Sequence, residues 1–298
     1  MKPTPILFSL FGSDHFAKAM QPQLGYEMGS ITLHQFPDDE IVINIKSSVN
    51  DKDVIMIADL THPNDKILPL LFAAETAKEL GAKKIGLIAP YLVYMRQDKR
   101  FQPGDSITSH YFATLISNYF DGLMTIDPHL HRWHALNDIY SIPAIALHAT
   151  KPIAAWIKAN VPDALLIGPD AESAQWVSDI AQRMKAPFLV LEKQRKGDNL
   201  VEISIPQIGL YQSHTPILVD DIISTAATLI KTVNHLKSLH MKPPICIGVH
   251  ALFAGNAYED LQQAGVKQII TCNTIAHASN AIDVTDLMIE AMDDLFKT

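Results

Sequence analysis

Short apolar runs alternate with longer amphipathic segments along nearly the whole chain, and this alternation restricts the fold more than any other feature of the sequence. Candidate strands fall at 6–11, 31–35, 54–58, 85–89, 123–126, 165–168, 188–191, 217–219, 245–249 and 268–271. Helical periodicity lies between many of them, for example at 66–80, 106–119, 171–184 and 228–239. Parallel strands need a long crossover, usually a helix, so the pattern predicts an α/β fold of mainly parallel sheets flanked by helices. At the end of the chain, residues 283–296 carry Leu287, Met288, Ala291, Met292 and Leu295 on a helical period, which predicts one closing amphipathic helix.

A weak internal repeat sharpens that expectation. The segment from Asp53 to Leu92 aligns without gaps on the segment starting at Thr215, placing Asp59 on Asp221 and Ile85-Gly86 on Ile247-Gly248 at one offset, 221 − 59 = 162 residues. One fixed offset suggests a duplicated α/β domain; the alternative is chance likeness between two apolar strand–helix–strand units. Duplication predicts an N-terminal domain of residues 1–146 and a C-terminal domain of residues 147–298, divided near Pro143 and Pro152, with the last helix packing back on the first domain. The copies differ where chemistry would sit. Leu60, His62, Pro63 and Asn64 in the first stand against Ile222, Ser224, Thr225 and Ala226 in the second.

Composition narrows the partners. At 298 residues and 48% hydrophobic content the chain can bury a large core. Its 24 Lys and Arg against 32 Asp and Glu leave a net charge of −8, which argues against nucleic-acid or membrane partners and requires local clusters to meet any anionic substrate. Cys246 and Cys272 lie in apolar runs without metal-ligand spacing, so they read as buried free thiols in a reducing compartment. The first apolar run is short and broken by Gly12 and Ser13, unlike a signal peptide or membrane span, and a cytoplasmic location is expected.

The most informative loop lies within residues 216–230. An apolar strand there meets Asp220 and Asp221, and Ser224, Thr225 and Thr228 lead into a helix. Hydroxyls, backbone N–H groups and a helix N-terminus suit a phosphate, while paired carboxylates suit sugar hydroxyls or a cation. An ordinary N-cap would need only one such residue. Other polar clusters also follow predicted strands. Phe36, Asp38, Asp39 and Glu40 form an acidic turn or a site, and Arg96, Gln97, Lys99 and Arg100 offer forks for polyphosphate or a solvated loop. Asp127, His129, His131 and His134 lack zinc spacing, so one His joining oxygen ligands around a hard cation is more economical. Asp170 sits at another strand–helix turn, and Lys193 and Arg195 lie on a basic segment that reads either as a mobile loop able to close over developing negative charge or as a solvated charged hairpin.

Taken in order, FPDDE, RQDKR, DPHLH, GPDA, EKQR and VDDIISTAAT resemble the successive motifs of ribose-phosphate pyrophosphokinases, and RQDKRF, DPHLH and DDIIST resemble the short, archaeal-type branch. The resemblance implies two tandem phosphoribosyltransferase-type domains and transfer of the pyrophosphoryl group of ATP to the C1 hydroxyl of ribose 5-phosphate, giving phosphoribosyl diphosphate and AMP for nucleotide biosynthesis. It further implies that Phe36, Asp38 and Glu40 hold adenine in a neighbouring subunit's site, that Arg96 and Gln97 bind ATP, and that His129 and Asp170 position Mg²⁺. Lys193 and Arg195 would stabilise the transferring group. Asp220 and Asp221 would hold the ribose hydroxyls, with Ser224, Thr225, Ala226, Ala227 and Thr228 around the 5-phosphate, in a homo-oligomer that shares the ATP site. The motif departs from the family pattern at Ala226 and Ala227, which stand where glycines are usual. That departure motivates an alternative, a catalytically weak regulatory homologue; a phosphoribosyltransferase consuming the diphosphate is a further one.

Overall fold

The computed structural model describes residues 3–169, 173–196, 200–204 and 208–297. The chain divides into two compact units, residues 1–147 with 285–298, and residues 148–284. The first contains β1 (Ile6–Leu10), α1 (Asp14–Leu24), β2 (Glu27–Met28), β3 (Ile31–Gln35), β4 (Ile41–Ile45), β5 (Asp53–Ala58), α2 (Asn64–Glu79), β6 (Lys84–Ala89), α3 (Thr108–Tyr119), β7 (Gly122–Ile126) and β8 (Ala144–Leu147). Six strands form a parallel sheet in the order β2-β1-β5-β6-β7-β8. From Val54 to Ala58 and from Ile85 to Ala89 every residue is buried, because helices cover both faces of a parallel sheet.

The second unit repeats the plan. It contains α4 (Thr150–Asn160), β9 (Ala164–Gly168), α5 (Ala174–Met184), β10 (Phe188–Val190), β11 (Glu192–Lys196), β12 (Leu200–Ser204), β13 (Thr215–Ile223), α6 (Ala227–Ser238), β14 (Ile245–Ala251), α7 (Ala257–Gln263), β15 (Gln268–Cys272) and β16 (Asn280–Ile282). Its parallel sheet runs β10-β9-β13-β14-β15-β16, the same order strand for strand. Each unit also inserts an antiparallel hairpin, β3–β4 or β11–β12, between its edge strand and its next inner strand.

Several sequence expectations need correction. Residues 31–35 form a strand, but one paired in a mostly exposed hairpin rather than in the central sheet. Lys193 and Arg195 lie in β11, opposite Ile203 and Val201, and not in a loop, since the ladder with β12 satisfies their backbone groups. The gapless repeat also slips. Ile55 faces Gly86, yet Asp220 rather than Ile217 faces Gly248, a shift of 220 − 217 = 3 residues. As a result β13 extends through both aspartates to Ile223.

The closing segment is not one helix. Its first part, α8 (Thr285–Glu290), gives way to a 3₁₀ turn at Met292–Asp294, where N–H groups of Asp294, Leu295 and Lys297 bond to carbonyls three residues back. Within the first unit α8 packs on α1, and the residues after it pack on the sheet. Two glycines make room for it: Gly86 and Gly122 face each other across β6 and β7, and Leu295 is fully buried against them. A Cβ on Gly122 would coincide with the Leu295 carbonyl oxygen, a backbone atom that cannot swing aside. Gly122→Ala is therefore expected to lower stability by about 1–3 kcal/mol, read as a drop in Tm. Gly209→Ala, which meets nothing within 4 Å, serves as the silent control; equal Tm values would contradict this packing.

Candidate active site

Backbone strain marks the carboxyl ends of the strands in both units. Phe11 (φ 56°), His62 (50°), Tyr94 (62°) and Asp127 (36°) follow β1, β5, β6 and β7, while Ala226 (56°) and Phe253 (40°) follow β13 and β14. Aromatic residues and Ala resist this left-handed region, at about 1–3 kcal/mol each, and they persist there only where surroundings fix them. At the other strand ends the positive-φ non-glycine residues are Asp51, Asp163, Lys185 and His240, of which the two aspartates are of a type that tolerates it.

In the second unit, Asp220 and Asp221 are half-buried near the end of β13. Each carboxylate accepts a hydrogen bond from the next backbone N–H, Asp221 N to Asp220 Oδ1 at 3.1 Å and Ile222 N to Asp221 Oδ1 at 2.8 Å. The chain then turns through Ser224, Thr225 and Ala226 into α6, where Ala227 is the first residue. The N-cap residue, Ala226, makes no side-chain cap bond, so the α6 N-terminus presents backbone N–H groups with the positive end of the helix dipole. Thr225, Ala227 and Thr228 are exposed and Ser224 is half-buried. Neighbouring backbone pins the loop from below, Phe253 N to Ile223 O at 2.9 Å and Ala254 N to Ser224 O at 3.0 Å.

Ala226 adopts the left-handed conformation that glycine would take freely, but its methyl is 6% exposed and turned into the core with Leu229 and Val233. It narrows no outer surface of the loop. Restoring glycine would relieve about 1 kcal/mol of strain and lose about 0.8 kcal/mol of methyl burial, so the two nearly cancel. Ala226→Gly is expected to leave both Tm and the KM for ribose 5-phosphate within about twofold or a few degrees; a KM at least about fivefold lower would show that Ala distorts the cradle.

Beneath the loop, the fully buried His250 pairs in register with Ile222. Thr274 gives its hydroxyl proton to Val249 O at 2.7 Å, so His250 Nδ1, 2.9 Å from the same hydroxyl, is the donor to it. Phe253, Tyr258 and His277 stack as a trio with ring centroids 4.6–5.1 Å apart. Burial lowers the His277 pKa against the opposing pull of Glu259, and Ser279 N donates to its Nδ1 at 3.1 Å, so this imidazole is held neutral. Burial, reinforced by Asp220, pushes the Cys246 thiol far up, and both cysteines are free and buried.

The first unit's equivalent of the acidic loop is already satisfied internally. Asp59 Oδ1 accepts from Thr61 N at 2.8 Å and from Thr61 Oγ1 at 2.7 Å, and Lys66 Nζ lies 3.4 Å from Asp59 Oδ2. Lys66 thus meets Asp59 within the first unit's loop, at a place where the three-residue slip puts Ser224 rather than Asp221 in the other copy. What the first unit presents instead is the segment after β6. Arg96 is exposed and Gln97 half-buried, its Nε2 donating to Lys99 O at 3.2 Å. Between them and the His loop runs an ion pair that motif reading missed, buried Asp98 with Arg132 Nε at 3.5 Å. It ties the Arg96 segment to His129, whose ring meets His131 edge-on at 3.8 Å. Only the single Asp inside the otherwise basic RQDKR hinted at such a role.

At the tip of the β3–β4 hairpin, Phe36 is 44% exposed and Asp38 and Glu40 are exposed. Asp39 (φ 68°) makes the turn, and Phe36 N bonds Glu40 O at 2.7 Å. Lys193 and Arg195 occupy alternate positions of β11 in the corresponding hairpin. Asp170 lies outside the described residues. Among the described residues no three of His, Cys, Asp and Glu gather as a metal cluster.

Residues 5–119 match the family described as the N-terminal domain of ribose phosphate pyrophosphokinase, and residues 135–287 match the phosphoribosyl transferase domain. A ribose-phosphate pyrophosphokinase of Saccharolobus solfataricus is 34% identical over 244 residues, 80% of this chain and 82% of the relative. One from Bacillus caldolyticus is 29% identical over 273 residues, 91% of this chain and 85% of the relative. In fold, the chain is similar to the crystal structure of phosphoribosylpyrophosphate synthetase from Mycobacterium smegmatis, with a TM-score of 0.84 over 99% of both chains at 21% identity.

Proposed function

The chain belongs to the ribose-phosphate pyrophosphokinase family, and we propose that it transfers the β,γ-pyrophosphoryl group of ATP to the anomeric hydroxyl of ribose 5-phosphate, releasing AMP. The ATP-binding side chains in this reading are Phe36, Asp38, Glu40, Arg96 and Gln97, and the sugar-phosphate residues are Asp220, Asp221 and Ser224 through Thr228. The observation that carries it is the local geometry after β13: two adjacent half-buried carboxylates, Asp220 and Asp221, are followed within a few residues by the α6 N-terminus, entered through Ala226, which makes no side-chain cap bond.

Transfer of this kind asks the protein for position and charge neutralisation rather than a nucleophile. Asp221 and Asp220 orient the ribose by accepting from its hydroxyls. Backbone N–H groups of 224–228 and the α6 dipole hold the 5-phosphate. Arg96 forks onto the polyphosphate, and Lys193 with Arg195 meets the charge that develops on the moving group.

The donor set fits Mg²⁺ delivered with ATP. This ion takes most of its octahedral oxygens from phosphate and water, so one or two protein groups suffice and no preassembled cage is needed. His129, with Asp170 from the resemblance, would hold it, and when bound it neutralises polyphosphate charge.

We place the enzyme in the cytoplasm, where ATP is supplied and both cysteines stay as thiols. No described helix is long and apolar enough to cross a membrane. The exposed hairpin tip supports a homo-oligomer in which Phe36, Asp38 and Glu40 reach a neighbouring subunit's site; a monomer mass by light scattering at assay concentration would overturn that part. The activity is tested with purified protein, Mg²⁺ and ATP. AMP release that requires ribose 5-phosphate is the expected result, and its absence from folded protein would refute the proposal.

A further inference from the structure

We infer that Tyr94 is a positioning residue for the Arg96–Gln97 segment, acting through a hydrogen bond from its hydroxyl to Asn64. The bond is short, Tyr94 Oη to Asn64 Oδ1 at 2.6 Å, and it joins the first residue of α2 to a segment 30 positions later. Tyr94 needs such restraint, because its backbone sits at φ 62°, a region an aromatic residue enters only at a cost. Three contacts offset that cost. The ring lies 5.1 Å from Phe112 of α3, Thr108 Oγ1 donates to the Tyr94 carbonyl at 3.5 Å, and the hydroxyl holds Asn64.

The consequence falls on the next residues. Met95 is buried, with the Tyr140 hydroxyl 3.9 Å from its sulfur, whereas Arg96 is exposed. The left-handed turn at Tyr94 is the point at which the chain changes course, so that Met95 anchors inward while Arg96 emerges. Ser109 N bonds Gln97 O at 3.3 Å and closes the segment on α3. Asn64 and Asp59 flank the same short loop, where Thr61 and Lys66 hold Asp59 in place, so the acceptor for Tyr94 is itself fixed. The first unit's acidic loop thereby serves as a rigid strut for this segment.

This inference rests on the proposed role of Arg96 and Gln97 in binding ATP, and its test separates the two. Hydrogen exchange, which needs no turnover, is measured on Tyr94→Phe and Asn64→Ala. Amides of 95–99 are expected to exchange faster in both variants, with amides of the second unit unchanged; unaltered exchange at 95–99 would overturn the inference whether or not the enzyme is active. In the wild-type AMP assay, both variants should raise the KM for ATP roughly three- to tenfold, the worth of one hydrogen bond, while the KM for ribose 5-phosphate stays within about 1.5-fold. The double variant should be no worse than either single one, and Asn64→Asp, which keeps the acceptor, should recover most of the loss. Tyr111→Phe, at an exposed tyrosine of α3, is the control. Equal rises in both KM values, or additive effects in the double variant, would also overturn it.

Discussion

Replacing Asp221 by Asn is expected to lower kcat/KM for ribose 5-phosphate by about 10²- to 10³-fold, with Tm shifted by no more than a few degrees. The substitution keeps shape and volume. It also keeps an oxygen that can still accept from Ile222 N, the 2.8 Å bond that orients the side chain. What it removes is a charged acceptor, and it puts an NH₂ donor where a ribose hydroxyl must donate. Two hydrogen bonds to a carboxylate are worth about 3–6 kcal/mol together, and because Asn keeps one accepting oxygen the loss is put at about 3–4 kcal/mol, which sets the size of the effect. Asp59→Asn supplies the contrast. That carboxylate is committed to Thr61 and Lys66, so the change should weaken the first unit and leave the KM for ribose 5-phosphate where it was. Equal kinetic losses from the two variants would mean that the duplicated loops are not functionally distinct.

Lys193→Ala is the second large effect, and it should appear in kcat. A cation that meets charge developing on a transferred group contributes to the transition state far more than to ground-state binding. The expectation is a kcat lower by about 10²- to 10³-fold with the KM for ATP changed less than about threefold. The β11–β12 hairpin is a separate two-stranded sheet, hydrogen-bonded in ladder to neither six-stranded sheet, so the change should spare the core and leave Tm unaltered. A loss confined to KM would assign Lys193 to ATP binding alone and contradict the role given to it here. Steady-state kinetics with each substrate varied separately distinguish the two.

The parallel sheets were legible because fully buried stretches such as Val54–Ala58 and Ile245–Val249 are unbroken apolar runs, and crossover helices carry their own period. The hairpins were legible only in part. Residues 31–35 read as a strand, but nothing in the sequence placed β3 outside the central sheet; β4 went unread, and β11 reads Glu-Lys-Gln-Arg-Lys, which has no apolar alternation to announce a strand. The three-residue slip between the copies escaped because apolar strand composition fixes that a strand exists but not which residue faces which. The closing segment kept helical spacing in its apolar residues, yet Leu295 lays its carbonyl on Gly122 and its side chain on Gly86, a tertiary packing that goes with a tighter turn in place of the helix.

At the site, residue types announced the acidic pair and the hydroxyl-rich loop, and the unusual Ala226 was visible against the family motif. That its methyl turns into the core, and so costs the outer surface nothing, required coordinates. Long-range pairs were invisible for the same reason. Asp98 with Arg132 and Tyr94 with Asn64 join residues about 30 positions apart that no local spacing connects.

The proposed activity is distinguished from other kinase reactions by the bond broken in ATP, between the α and β phosphates. Phosphorus NMR of a reaction containing the purified protein, Mg²⁺, ATP and ribose 5-phosphate should show AMP and phosphoribosyl diphosphate accumulating one for one, with neither formed when the sugar phosphate is withheld. ADP with a singly phosphorylated sugar, or AMP released without ribose 5-phosphate, would contradict it.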